Sequence, residues 1–181
     1  VEITGEGEDI EVVVTGIEGD PVAIFDVTIP INQRETKVKG WELMAQHSFG
    51  DSGFGFQANY TIVDGDLDYD NNLNEEQWVV PGMSNTANLV GFYDKDGLQV
   101  RLAWNWRDKF LASAARDPLY VEEYYQFDMN ISYEINDQLS VFIEGINLTE
   151  EDKRVHGRST YQVREYGVGH ARYNFGARYV F

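Results

Sequence analysis

Two clusters of residues in this sequence have the types and spacing to do chemistry. In Asp66-Leu67-Asp68-Tyr69-Asp70-Asn71-Asn72, carboxylates recur at every second position, which is how a loop offers clustered oxygen ligands to a hard cation such as calcium. An EF-hand loop would need glycine at its sixth place and glutamate at its twelfth, where this sequence has Asn71 and Gln77. A solvated external loop is therefore the expectation, and no metal is assigned. The second cluster, Trp78, Tyr120, Tyr124, Asp128 and Asn105, combines rings with an amide and a carboxylate. Sugar recognition uses that mixture, with rings stacked on the sugar and polar groups bonding its hydroxyls. Loop packing and interfacial anchoring compete for the same aromatics. His47, His156 and His170 are scattered without metal-ligand spacing. No nucleophile motif, phosphate-binding glycine loop or distinct acid/base pair stands out, so no catalytic residue and no cofactor is assigned.

The elements that would position these residues announce themselves by strict alternation. Tyr125, Phe127, Met129, Ile131, Tyr133 and Ile135 share one face against Gln126, Asp128, Asn130, Ser132 and Glu134. Leu98, Val100, Leu102, Trp104 and Trp106 oppose Gln99, Arg101, Asn105 and Arg107, and Phe54, Phe56, Ala58, Tyr60 and Ile62 oppose Gln57, Asn59 and Thr61. Weaker strands run over Trp41 to Phe49, Thr86 to Tyr93 and Leu139 to Asn147, where Phe142 and Ile146 share the polar face with Glu144. At the C-terminus, Ala171, Tyr173, Phe175, Ala177, Tyr179 and Phe181 alternate with His170, Arg172, Asn174, Gly176, Arg178 and Val180. A last strand with an aromatic outer face and a terminal phenylalanine is the pattern of an outer-membrane β-barrel, so Tyr173, Phe175, Tyr179 and Phe181 are read as the membrane-insertion signal.

Connection lengths give a second, independent signal. Short turns fall at Gly50 to Gly53, Asp94 to Gly97 and Asn136 to Gln138, and long connections at residues 65–84, 111–122 and 148–166. Outer-membrane barrels have short periplasmic turns and long external loops, which places the C-terminus in the periplasm and the candidate sugar-binding residues at the outer mouth. Tyr93, Tyr133, Tyr179 and Phe181 then lie near the short turns and Trp104, Trp106, Tyr125 and Phe127 near the long loops, forming two girdles. A soluble sandwich would bury one face in a core instead, but has no reason to segregate turn lengths.

Composition narrows the classes. The chain of 181 residues has no cysteine, which excludes a disulfide framework and thiolate metal sites. Mean hydropathy is -0.42, and no apolar run approaches the about 18 residues of a membrane helix, whereas a barrel strand is apolar on one face only. The formal charge of -17 disfavours nucleic acid, whose phosphates need clustered Lys and Arg, and disfavours an anionic ligand in this part of the mouth. Residues 1–35 lack a clean lipid face. Ile10 to Thr15 and Val22 to Ile29, with a turn at Glu18 to Pro21, are expected to form a hairpin in a long external loop, and Val1 to Thr4 to end an eighth strand.

Several stretches resemble the C-terminal third of TonB-dependent outer-membrane receptors, in particular a proteobacterial subgroup linked to carbohydrate uptake. They are Val38-Lys39-Gly40-Trp41-Glu42-Leu43, Gly55-Phe56-Gln57-Ala58-Asn59-Tyr60-Thr61, Ala87-Asn88-Leu89-Val90-Gly91-Phe92-Tyr93, Phe142-Ile143-Glu144-Gly145-Ile146-Asn147-Leu148-Thr149 and Tyr173-Asn174-Phe175-Gly176-Ala177-Arg178-Tyr179-Val180-Phe181. Together they cover most of residues 36–181. The Asn147-Leu148-Thr149 glycosylation sequon is accidental in such a barrel.

The resemblance implies an all-β fold: an antiparallel transmembrane β-barrel segment of about seven or eight strands from a barrel of about 22. Residues 36–181 would be its C-terminal strands and residues 1–35 an external region. The last strand would pair with the one around Val141. A plug domain and its TonB-binding segment are implied but not found among these residues, so the expectation is part of a longer receptor. Arg101, Phe142, Glu144 and Arg178 would face the lumen and plug. The implied partners are membrane lipid, the barrel-assembly machinery, TonB through the plug, and an oligosaccharide or other small ligand. A free-standing barrel of about eight strands with a structural or adhesive role is the alternative.

Overall fold

The computed structural model describes residues 35–75 and 77–181, together with the backbone of residues 2–4 and 11–13. Its strands are β1 (Glu2–Thr4), β2 (Glu11–Val13), β3 (Val38–Ser48), β4 (Phe54–Gly65), β5 (Thr86–Lys95), β6 (Leu98–Arg107), β7 (Phe110–Ser113), β8 (Leu119–Val121), β9 (Tyr124–Asn136), β10 (Leu139–Ile146), β11 (Lys153–His156), β12 (Val163–Gly167) and β13 (Arg172–Tyr179). Val1–Glu35 and Thr36–Phe181 are separate compact units.

Seven strands form one antiparallel sheet in the order β13-β10-β9-β6-β5-β4-β3. The alternation read from the sequence explains why. Residues directly opposite each other in an antiparallel pair point to the same side, so matching apolar rows select one register. Val100 faces Ile131, Ile131 faces Ile143 and Ile143 faces Phe175. Nearer the long connections, Leu43 faces Tyr60, Tyr60 faces Ala87, Ala87 faces Trp106 and Trp106 faces Tyr125. The apolar rows thus run unbroken across neighbouring strands. Ten residues at about 3.3 Å each run roughly 33 Å, which a tilt near 40° reduces to about 25 Å, the height of a barrel's apolar band.

Burial separates this sheet from a sandwich. Among the described residues of the seven-stranded sheet, Val90, at 2% exposure, is the buried large hydrophobic side chain, and it lies on the polar face opposite Ala103. Trp41 at 74% and Phe175 at 87% stand open on the apolar face. A sandwich would bury that face against a second sheet; this one presents it outward. Aromatic pairs mark the short-turn end, Phe54 with Tyr93 at 4.7 Å and Tyr179 with Phe181 at 5.1 Å between ring centroids.

The expected pairing of the last strand with that around Val141 is present, with Val141 opposite Ala177. The turn between β5 and β6 has Asp96 at φ 54° and Gly97 at φ 78°, the positive dihedrals of the two-residue hairpin turn that an Asp-Gly pair favours. One expectation differs from the structure, and another lies largely outside the described residues. Glu2–Thr4 pairs with Glu11–Val13 in a sheet of its own and adds no eighth strand to the large one. Of the expected hairpin, part of Ile10 to Thr15 is β2, while Val22 to Ile29 and the turn at Glu18 to Pro21 lie outside the described residues. The long connections also carry short strands, and β7, β8, β11 and β12 form a four-stranded sheet in the order β12-β11-β8-β7.

Candidate ligand-binding site

The three long connections of Thr36–Phe181 are fastened to one another. Arg158 donates from Nη1 to the carbonyls of Asn71 at 2.6 Å and Leu73 at 2.8 Å, and from Nη2 to the carbonyl of Arg116 at 2.7 Å. The Tyr69 hydroxyl donates to the Ala115 carbonyl at 3.2 Å. One guanidinium therefore ties the β4–β5, β7–β8 and β11–β12 segments, a use that needs Arg's fork of donors. Below it Tyr120 stacks on His156 at 5.2 Å and donates to Asn71 Oδ1 at 3.1 Å; burial pushes its phenol up, against the opposing hydrogen bond. His156, 4% exposed, has Nδ1 2.6 Å from the Gly157 carbonyl and Nε2 3.4 Å from Glu122.

The acidic run is spent locally. Asp66 accepts from the Thr36 hydroxyl at 2.7 Å and the Lys37 N–H at 3.1 Å, and the first of these bonds is the main cause of its lowered pKa. Asp70 accepts from the backbone and side-chain amides of Asn72 at 2.8 and 2.9 Å. Among the described residues no three His, Asp or Glu side chains converge on one point.

At the long-connection end of the polar face lies a cleft of about 360 Å³, lined by Tyr124, Gln126, Glu151, Lys153, His170 and Arg172, with the backbone of Gly167 to Gly169. Strand alternation aims Tyr124, Gln126 and Asp128 to one side, and they bond in sequence: the Tyr124 hydroxyl donates to Gln126 Oε1 at 2.7 Å, and Gln126 Nε2 to Asp128 Oδ1 at 2.7 Å. Asn147, at φ 54° and 6% exposure, accepts the Glu151 N–H at 3.0 Å, donates Nδ2 to the Glu151 carbonyl at 3.2 Å, and donates its own N–H to Asp128 at 2.9 Å. The amide of the sequon is thus a structural clamp. Asp152 anchors the opposite wall through the Gly169 N–H at 2.8 Å and the Tyr166 hydroxyl; the Tyr166 bond is the larger cause of its lowered pKa, and it raises that of Tyr166.

Of the residues expected to contact a ligand, Tyr124 lines this cleft, with Asp128 bonded directly behind it. Asn105 is on the same face opposite Gln126, its amide bonded by Asn88. Tyr120 lines a separate hollow of about 340 Å³ with Leu67, Tyr69, Val80 and Met83, and Trp78 lines neither. Alternation and register give Arg101, Phe142, Glu144 and Arg178 the polar face. Asn130 donates to Glu144 at 3.1 Å, Arg101 shares a hollow with Glu144 and Asp128, the Phe142 ring lies across Gly176, and Arg178 sits at the short-turn end opposite Ser140.

Sequence reasoning passed over Lys153, Glu151 and His170. A compositional signal was available: residues 153–172 hold five Lys and Arg against the single carboxylate Glu165, in a chain with 14 basic and 31 acidic residues.

Comparison with known proteins agrees with this architecture. Neither the curated proteins nor the solved structures gave a match. The family model described as TonB dependent receptor-like, beta-barrel, matches residues 9–148. That match covers all of β3 to β10 and, taken with the seven-stranded sheet and its outward apolar face, identifies the chain as a barrel segment belonging to the TonB-dependent receptors of the bacterial outer membrane.

Proposed function

We propose that this chain supplies the C-terminal strands of a receptor that imports an oligosaccharide, with the apolar face of the sheet in lipid, the short turns and C-terminus in the periplasm, and the long connections outside. The observation that carries the substrate reading is the cleft beside Tyr124, where a ring, an amide, a carboxylate and exposed glycine backbone sit within one hollow of about 360 Å³. That is the donor and acceptor mixture a ring of hydroxyls requires. Within this reading the chain falls in the carbohydrate-type proteobacterial subgroup, a plug filling the lumen would rest against Arg101, Phe142, Glu144 and Arg178 and reach TonB, and the β13 strand with Phe181 would be read by the barrel-assembly machinery.

Growth assays test this directly. Deleting the gene is expected to remove growth on one class of oligosaccharide while leaving growth under iron limitation intact. A defect confined to iron-limited medium would overturn the reading.

A further inference from the structure

We propose that the cleft beside Tyr124 selects an acidic oligosaccharide, with Lys153 and Arg172 taking the carboxylate of a uronic acid ring while Gln126 and Glu151 take neighbouring hydroxyls. The proposal deepens the oligosaccharide reading and rests on it. It departs from the expectation drawn from overall charge, because the chain's net charge of -17 is not distributed evenly.

The cations of the cleft are unspent. Among the described residues the ion pairs within 4.0 Å are those of Arg154 and His156, both with Glu122. Lys153 instead holds its ammonium over the Tyr124 ring, 5.5 Å from the centroid. Arg172 projects from β13 beside it, on the same face as Tyr124, and lines the same cleft. Two of the three nearby carboxylates are already engaged, Asp128 accepting from Gln126 at 2.7 Å and from the Asn147 N–H at 2.9 Å and Asp152 from the Gly169 N–H at 2.8 Å, which leaves Glu151 alone against the two cations. Charge-assisted bonds to a ligand carboxylate are shorter and about twice as strong as neutral ones, so two unpaired cations in one hollow favour a ligand that brings a negative group.

The same hollow limits what that group is. Glu151 lines it and, set against Lys153 and Arg172, leaves the hollow one net positive charge, which a monoanionic carboxylate balances. Tyr124 and Gln126 set hydroxyl-bonding groups beside the cations, which suits a sugar acid and not a bare carboxylate. The volume of about 360 Å³ lies near the lower end of ligand pockets, about 300 to 1,000 Å³, and so takes a short stretch of a chain.

Binding to the receptor in outer-membrane vesicles tests this with oligomers of galacturonate, glucuronate and mannuronate, each beside its methyl ester, and with neutral maltohexaose and a sulfated galactose oligomer as further arms. At least one acidic oligomer is expected to bind tenfold or more tightly than its own ester, with a preference that shrinks as salt is raised. In the Lys153→Gln/Arg172→Gln double variant that ratio should fall to near one, while Lys153→Arg keeps it. Heat-modifiable mobility checks that each variant is folded. Equal affinity for every acid and its ester, a preference that survives the double variant, or tighter binding of the sulfated oligomer than of every acid would overturn the proposal. Binding of maltohexaose alone overturns it while sparing the oligosaccharide reading, and binding of no glycan overturns both.

Discussion

Gly169 lies against Glu151 so closely that a Cβ at position 169 would stand 1.9 Å from the Glu151 carbonyl oxygen. The obstacle is main chain, already held by Asn147 Nδ2 at 3.2 Å, and it cannot swing away as a side-chain end would. Gly169→Ala is therefore expected to cost about 1–3 kcal/mol by overpacking and to displace the wall that carries His170 and Arg172. Ligand affinity should fall at least tenfold while the heat-modifiable barrel persists. A variant with unchanged affinity would show that this wall plays no part in the site.

Arg158→Ala removes the fastening between three connections. Hydrogen bonds from a charged donor contribute about 1.5–3 kcal/mol each in favourable settings, and the exposure of these ones places the expected loss near the bottom of that range, about 2 kcal/mol. Added protease should then cut within residues 66–85 and 108–123 of the intact receptor, with the membrane strands spared. Arg158→Lys should not restore protection, because a single ammonium cannot span the carbonyls of Asn71, Leu73 and Arg116 at 2.6 to 2.8 Å.

The two faces of β9 should respond oppositely to charge. Ile131 sits mid-strand on the apolar face between Val100 and Ile143, so Ile131→Arg is expected to destabilise the inserted barrel by about 2–4 kcal/mol. Ser132→Lys, one residue away on the polar face, should change stability by less than about 1 kcal/mol. Guanidinium titration in phospholipid vesicles measures both; equal effects would contradict the facing assigned here.

Acid should loosen the wall that Asp152 anchors. Its pKa is lowered from the ordinary 3.8 by the Tyr166 hydroxyl and then by the Gly169 N–H, so the folded state favours the ionised carboxylate. The contribution is complete above pH 3.8 and is lost as pH falls through the lowered folded value. Hydrogen-exchange protection of the Gly169 amide, corrected for intrinsic rate, is expected to hold at neutral pH and to drop below about pH 4. In Asp152→Asn the drop should disappear. A protection factor that does not vary with pH in the parent chain would contradict this.

The seven long strands were legible because each runs at least eight residues, enough for a two-residue period to show against chance, and because Tyr125 to Ile135 and Tyr173 to Tyr179 keep it without a break. The second sheet was not legible: β8 has three residues and β7 and β11 have four, too short for any period, and their pairing depends on fastenings such as Arg158 to Asn71 across 87 positions. The cleft was half visible. Tyr124 and Asp128 were picked by residue type, but Lys153 and His170 reach it only because Asn147 and Asp152 fold the β10–β13 connection back on the strand ends. Trp78 and Tyr120 carry sugar-binding types but lie outside the cleft, Tyr120 stacked on His156.

Arg158 grips carbonyl oxygens, and every amino acid has one. The side chains at positions 73 and 116 can therefore be exchanged over generations without undoing the knot, provided the guanidinium stays, whereas Asn71 is also held through its own side chain by Tyr120. A surface built this way separates what is inherited strictly from what is free to drift: one residue preserves the frame, and the contacts displayed on it can be rewritten.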